Sequence, residues 1–429
     1  MMWVVVILFL ALLIIKMPLV YAIGIASLSY YIMVPDLTIS IAVQRMVSTT
    51  QGFTMLAIPF FILCGSLMNA SGITDRLVKF SMKCIGHLFG GLACVSCLLS
   101  AVMGGISGSA VADATMEARI LGPSMLKRGY SKGYSAAVVA LSSTITATIP
   151  PSVGLIIFGA IGNVSIGRLF VGGIVPGILM TIALLIPSYL IARKRNYARE
   201  SEKMPPLKEI GASLWECIWA MLFPVLLIVG IRFGVFTASE AGAFAVVYAL
   251  FVGKFIYKEL TRESLVKVMK DAMKDCSVVL FITAVAAIFG YASTYSGLPQ
   301  ILATALTKLT ESKYLMMIVL TLFLFIMGMF MESTVNTMLF TPIMLPIVMN
   351  MGVDPVHFGL IFELTVIIGA MTPPVGTAMF SVCDILKCPV EEYVKESMPF
   401  FGMIFVVIAL MIFFPDMVLW LPNLVYGAA

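Results

Sequence analysis

Residues 142–154 read Ser142-Ser143-Thr144-Ile145-Thr146-Ala147-Thr148-Ile149-Pro150-Pro151-Ser152-Val153-Gly154, and a matching stretch from Thr365 ends in Thr372-Pro373-Pro374-Val375-Gly376-Thr377. A proline pair removes two backbone donors and disfavours helical geometry in the residue before each ring, so a helix entering either stretch must break. The upstream half then ends in carbonyls that can face a cation. The downstream half begins with amide donors and the positive end of a helix dipole, which suits an anionic group. The two Pro-Pro pairs are 223 residues apart, and Gly105 with Gly328, Pro123 with Pro346 and Gly129 with Gly352 keep the same spacing. Gly65 with Gly290, and Ser71-Gly72 with Ser296-Gly297, are 225 apart. Glycine and proline set backbone geometry, so a constant offset among them means repeated architecture.

The surroundings of these breaks decide the class. The chain has 429 residues, 61% of them apolar and only 11% charged, against roughly 25% charged in a soluble domain. That composition predicts an all-α polytopic membrane protein. A net charge of +5 then speaks to loop placement rather than to nucleic acid, which is excluded as a partner; the partner surface is a lipid bilayer. The first apolar stretch lacks the leading charge of a cleaved signal and reads as a retained helix. Apolar stretches near the ~20 residues of a spanning helix fall at 2–15, 18–34, 53–70, 133–162, 168–192, 213–232, 236–256, 276–296, 357–384 and 396–414.

Two further apolar regions, 88–126 and 314–350, are cut by Gly104-Gly105-Ile106-Ser107-Gly108-Ser109 and by Gly328 through Thr334. Each reads as a re-entrant hairpin. With both as hairpins, 21 of the 27 Lys and Arg fall on one side, including Lys16 and the runs Arg193 to Lys208 and Lys254 to Lys274. The positive-inside rule makes that side cytoplasmic, with both termini outside and ten crossings. The 53–70 and 276–296 helices then run in opposite directions. The expected fold is two inverted repeats, 1–192 and 213–429, joined by a cytoplasmic connector at 193–212, with broken helices 133–162 and 357–384. Such repeats with midplane breaks mark secondary transporters. A basic amphipathic stretch at 258–274 reads as an interfacial helix.

The hairpin bends carry Ser107-Gly108-Ser109-Ala110-Val111-Ala112-Asp113 and Glu332-Ser333-Thr334-Val335-Asn336. Backbone freed inside a bilayer must be buried in protein or line a watery cavity, and small hydroxyl residues serve both. One cation site is therefore expected in each repeat: Ser107, Ser109, Thr144, Thr146, Thr148 and Pro150 in the first, Ser333, Thr334, Gly369 and Thr372 in the second. An anion is expected between them, against Ser107, Ser109, Pro151, Ser152, Gly154, Ser333, Thr365, Pro374 and Gly376. Asp113 and Glu117 are one helical turn apart with Arg119 following, and read as an ion pair holding the arm or as substrate contacts. Glu332 and Glu363 are candidate proton carriers. Cys94 and Cys97 lie in an apolar run and read as packing, not metal binding. No nucleotide loop, metal spacing or catalytic triad is present, so the chain is not expected to be an enzyme.

The motifs Gly-Ser-Leu-Met-Asn-Ala-Ser-Gly at 65–72, Ser-Gly-Ser-Ala-Val-Ala-Asp at 107–113, Ile-Pro-Pro-Ser at 149–152, Asp-Pro-Val-His-Phe-Gly at 354–359 and Thr-Pro-Pro-Val-Gly at 372–376 resemble the large membrane subunit of the TRAP (tripartite ATP-independent periplasmic) transporters over essentially the whole chain. The resemblance implies an elevator-type, Na⁺-coupled importer of organic acids in a bacterial inner membrane. It also implies two partners, a small four-helix membrane subunit and a periplasmic substrate-binding protein. Many members carry Asn where this chain has Thr365. A Pro150→Ala change is expected to restore helix across the first break and weaken the first cation site, measured as the Na⁺ dependence of transport; unchanged dependence would remove Pro150 from that site.

Overall fold

The computed structural model describes residues 2–427 except Lys16, Pro18, Glu202 and Glu311. Lys16, counted above on the basic side, lies outside the described residues. Among the described residues the chain forms helices and no strand, and the elements recur at a near-constant offset. Helices α1 (Met2–Ile14), α2 (Leu19–Met33), α3 (Ile39–Thr50), α4 (Ala57–Ala70) and α5 (Ile73–Ile85) precede the first hairpin region. That region holds α6 (Gly91–Gly104), α7 (Ala110–Ile120) and the short α8 (Gly122–Lys127); the broken helix follows as α9 (Lys132–Thr148) and α10 (Val153–Gly162), then α11 (Ile166–Lys194). The second half contributes α12 (Leu207–Arg232), α13 (Ala238–Phe251), α14 (Arg262–Tyr295) and α15 (Leu298–Leu309). Its hairpin arms are α16 (Lys313–Phe330) and α17 (Ser333–Asn350), its broken helix α18 (Pro355–Ala370) and α19 (Thr377–Leu386), and α20 (Val390–Phe413) and α21 (Asp416–Tyr426) close the chain.

The starts of α7 and α17, and of α9 and α18, are 223 residues apart; those of α10 and α19, and of α11 and α20, are 224 apart. Local chemistry repeats with them. Ser109 caps α7 and Glu332 caps α17, while Ser131 caps α9 and Asp354 caps α18, each side chain accepting from a first-turn amide that has no intrahelical partner. Gly72 and Gly297, Gly129 and Gly352, and Asn163 and Lys387 take positive φ at matching helix ends, the left-handed conformation that stops a helix. Both Pro-Pro bonds are cis.

Among the described residues, seven helical runs are long and apolar enough to cross a membrane: 53–70, 166–194, 207–232, 238–256, 262–295, 313–330 and 390–413. The pair α9 and α10, bent by 44°, makes an eighth. The ten crossings expected from sequence leave out 313–330, read there as an arm of the second hairpin although α16 is long and apolar enough to cross, and instead count α1 and α2, which have only 13 and 15 residues, about 20 Å of rise each, and the pair α18 and α19. The interfacial helix expected at 258–274 is not a separate element. Thr261 caps a helix that runs without interruption from Arg262 to Tyr295, because no proline falls in that interval and its apolar stripe continues into the apolar span. The connector is shorter than 193–212, since α11 extends to Lys194 and α12 begins at Leu207.

Helices α9 and α18 form the centre, with every residue of 133–148 and 356–370 buried. Both arms of the first hairpin, α6 and α7, pack on α9; both arms of the second, α16 and α17, pack on α18. The downstream half-helices cross over: α10 packs on α17 and α19 on α7. Long helices flank this centre, with α14 against α2, α3, α4 and α17, and α4 against α13. Glycines allow the closest approaches, as small residues do between membrane helices. A Cβ on Gly369 of α18 would stand 2.5 Å from the Gly328 Cα and 2.7 Å from the Phe325 carbonyl oxygen of α16. Gly369→Ala is therefore expected to destabilise the purified protein by about 1–3 kcal/mol, read as a lower Tm in detergent. Gly402→Ala, where a Cβ meets nothing within 4 Å, should leave the Tm unchanged.

Candidate functional site

Each hairpin tip is tied to the helix break beside it by backbone hydrogen bonds. At the first, Gly108 adopts φ +62° and its carbonyl accepts from the Val153 amide at 3.3 Å. A Cβ on Gly108 would strike the Pro151 carbonyl, so this contact requires glycine. At the second, the Met329 carbonyl accepts from the amides of Val375 and Gly376 at 3.1 and 3.3 Å. The proline breaks thus release amides that the hairpins take up, as burial at membrane depth demands.

Immediately after each tip lies an oxygen with no partner. Asp113 and Asn336 are both fully buried and 223 residues apart. The Ser107 hydroxyl donates to Asp113 Oδ1 at 2.7 Å, and the Ser109 amide approaches Ser107 Oγ at 3.5 Å. Asn336 Nδ2 donates to the carbonyls of Met331 and Glu332 at 3.0 and 3.2 Å. Asp113 Oδ2 and Asn336 Oδ1 accept nothing. Buried oxygens left in this state call for water or an ion, and a hard cation with oxygen ligands suits a site made of hydroxyl, carboxylate, amide oxygen and backbone carbonyl. The ion pair considered for Asp113 and Glu117 with Arg119 does not form: Arg119 is exposed, and Asp113 turns to Ser107. Asn336 was quoted in the second tip motif but not assigned a role; the 223-residue offset that pairs it with Asp113 is the signal that singles it out.

Glu117 is the centre of a different cluster. Fully buried on α7, it accepts hydrogen bonds from Ser96 and from Ser100 (2.8 Å) on α6, and from Ser142 on α9 at 3.5 Å. It ties the two arms to the central helix without a countercharge. Thr365 occupies the place in the second repeat that Ser142 holds in the first, but there Phe340 stands where the glutamate would be, and Thr365 Oγ1 donates to the Ile361 carbonyl of its own helix.

A cavity of about 520 Å³ lies between the two tips and the long helices α4 and α14. Ser107, Ser109, Gly154, Ser333 and Thr334 line it, as do Glu332, Glu363, Asp275 and, on α4, Gly65, Ser66 and Asn69. Of the other residues expected at the anion site, Pro151, Ser152, Thr365, Pro374 and Gly376 do not line it. Ser152 is buried and caps α10, and Pro374 faces outward. Among the expected cation ligands, the hydroxyls of Thr144, Thr148 and Thr372 donate to carbonyls of their own helices and that of Thr146 to the Ser100 carbonyl. Pro150 and Gly369 stay behind the cavity wall. The α4 and α14 wall was not anticipated; a Cβ on Gly65 would meet the Ser107 carbonyl oxygen at 3.2 Å, so α4 lies directly against the first tip.

Over residues 6–417 the chain matches the family described as the DctM component of the tripartite ATP-independent periplasmic transporters. It is 35% identical to the sialic acid TRAP transporter large permease protein of Vibrio cholerae, covering 96% of each chain. It is also 35% identical to the 2,3-diketo-L-gulonate TRAP transporter large permease protein of Escherichia coli, covering 94% of this chain and 95% of that one. The crystal structure of the YdaH transporter of Alcanivorax borkumensis shares the fold, with a TM-score of 0.63 at 14% identity over 86% of each chain. Replacing Glu117 by Ala removes the shared acceptor of three buried hydroxyls and is expected to cost about 1–3 kcal/mol, seen as a lower Tm of the purified protein. Glu117→Gln keeps one acceptor oxygen and should lose less; equal losses for both would mean that the hydroxyl bonds are not what holds the arm.

Proposed function

Because this chain belongs to the DctM-component family of the TRAP transporters, we propose that it is the large membrane subunit of a Na⁺-driven importer of small organic acids in a bacterial inner membrane. Substrate would arrive from a periplasmic binding protein, and a small membrane subunit would complete the complex, a reading that the word tripartite in the family description supports. The two relatives are named for sialic acid and 2,3-diketo-L-gulonate, both carboxylic acids, which supports a carboxylate as the cargo. The observation that carries the reading is the single cavity between two hairpin tips, each with an unpartnered buried oxygen at the equivalent position.

In this proposal one Na⁺ sits at each tip, at Asp113 with Ser107 and at Asn336 with the carbonyls of the second bend. The anion lies between them. Two bound cations offset the charge of the anion and of Asp113, and draw each tip onto its helix break. The cations thereby lessen the bare charge that a loaded core carries at the midplane, where it is costly. One wall of the cavity is made by α4 and α14 and the other by the hairpins, which supports an elevator movement of the hairpin-bearing core along a frame containing the long helices. Asn69 lies at the end of α4 nearest the basic cluster Arg76 to Lys83, and Asp275, within α14, directly follows the basic run Lys254 to Lys274. By the positive-inside rule the cavity then opens toward the cytoplasm, with the repeats inverted and both termini outside.

The test is uptake of labelled carboxylates into proteoliposomes holding this chain and its small partner, with and without an inward Na⁺ gradient and with and without the binding protein. Uptake that needs both is the expected result. Uptake that needs neither would make the chain an autonomous anion permease, and uptake driven by protons alone would overturn the sodium assignment.

A further inference from the structure

The charges around the cavity do not match a simple anion site. Among the described residues that line it, three are acidic, Asp275, Glu332 and Glu363, and none is Lys, Arg or His. They are also unevenly placed. Asp275 is exposed at the mouth. Glu332 folds onto the start of α17, accepting from the Thr334 amide and the hydroxyls of Ser333 and Thr334 at 3.0–3.1 Å. Glu363, only 3% exposed, accepts from the Thr337 hydroxyl of α17 at 3.0 Å, and its carboxylate lies so close to Gly154 that a Cβ there would collide with it.

The second tip and the start of α10 are therefore already faced by carboxylates of the protein. The first tip is not. Its cavity surface is Ser107, Ser109 and the opening turn of α7, while Asp113 lies behind Ser107, at the place proposed above for a cation. An anionic group meets the Ser109 hydroxyl, whose proton is not committed to Asp113 as that of Ser107 is, and a helix start at the first tip, and two carboxylates at the second. Like charges juxtaposed in a desolvated site are rejected, whereas donors aimed at buried acceptors are selected.

We infer that the acid accepted by this cavity bears hydroxyl or ammonium donors at the end remote from its carboxylate, and binds with the carboxylate on Ser109 and the opening turn of α7 and the donors on Glu332 and Glu363. The inference rests on the transport reading above. It excludes a plain dicarboxylate, whose second carboxylate would face Glu363. It also makes Glu363 the residue that sets this preference.

The experiment is thermal unfolding of the purified complex of the two membrane subunits, in NaCl and in KCl, with gluconate, β-alanine or succinate. In NaCl, gluconate or β-alanine should raise the Tm at a concentration at least about tenfold below that needed for succinate. Glu363→Gln should narrow that ratio by admitting succinate, and Glu363→Asp should preserve it. Succinate acting at the lowest concentration, no shift with any of the three acids, or a ratio untouched by Glu363→Gln would each overturn the inference. A donor-bearing acid that stabilises equally in NaCl and KCl would support it while removing the sodium coupling, so the two readings fail separately.

Discussion

The constraint on which the rest of the structure depends is that a helix broken at membrane depth must have its freed backbone groups satisfied by protein. Two Pro-Pro pairs impose the break twice. The structure answers each time with a hairpin tip, whose carbonyl at Gly108 or Met329 takes up the amides released at Val153 or at Val375 and Gly376. Much else follows from holding those tips in place. Gly108 has to lack a side chain because Pro151 is against it, and Gly328 and Gly369 have to lack one because α16 and α18 touch there. The serine cluster on Glu117 keeps both arms of the first hairpin on α9.

The repeat matters because the halves exchange elements. Since α10 lies on α17 and α19 on α7, neither half completes a site alone. The cavity wall combines Gly154 and the first tip with Glu332, Ser333, Thr334 and Glu363 of the second repeat. Equivalence in backbone is joined to difference in charge. Asp113 answers to Asn336, Ser109 to Glu332, and Glu117 to Phe340. A symmetric scaffold thereby carries an asymmetric field, with Glu332 and Glu363 on the cavity face of the second repeat and Asp113 and Glu117 off the cavity face in the first, which suits a ligand with two unlike ends.

Much of the scaffold was legible in the residues. The composition, the glycine and proline offsets, the hairpin bends and the proline breaks are local statements about backbone geometry and solvent, and each is borne out by a helix end, a cap or a bend at the expected place. Ser107, Ser109, Gly154, Ser333 and Thr334 were placed at the cavity for the same reason: they sit on the bends themselves. The threonines of 144–148 and Thr365 were harder to judge, because a hydroxyl on a buried helix can donate to its own backbone or face a neighbour, and sequence does not say which. The continuous α14 shows the reverse limit. A charged amphipathic stretch followed by an apolar one reads as two elements, yet with no residue to stop the helix it remains one.

The sequence by itself determined that the chain is an all-helical membrane protein of two repeats, each with a bent hairpin and a proline-broken helix, because periodicity, proline and glycine act within a few residues of where they stand. Only the tertiary structure decided that each downstream half-helix lies on the opposite repeat's hairpin, that α4 and α14 close the cavity, and that Glu363 reaches Thr337 and Gly154. Apart from the Thr337 contact, 26 residues away, those outcomes depend on which buried faces meet across more than a hundred residues of chain, and no local pattern encodes that choice.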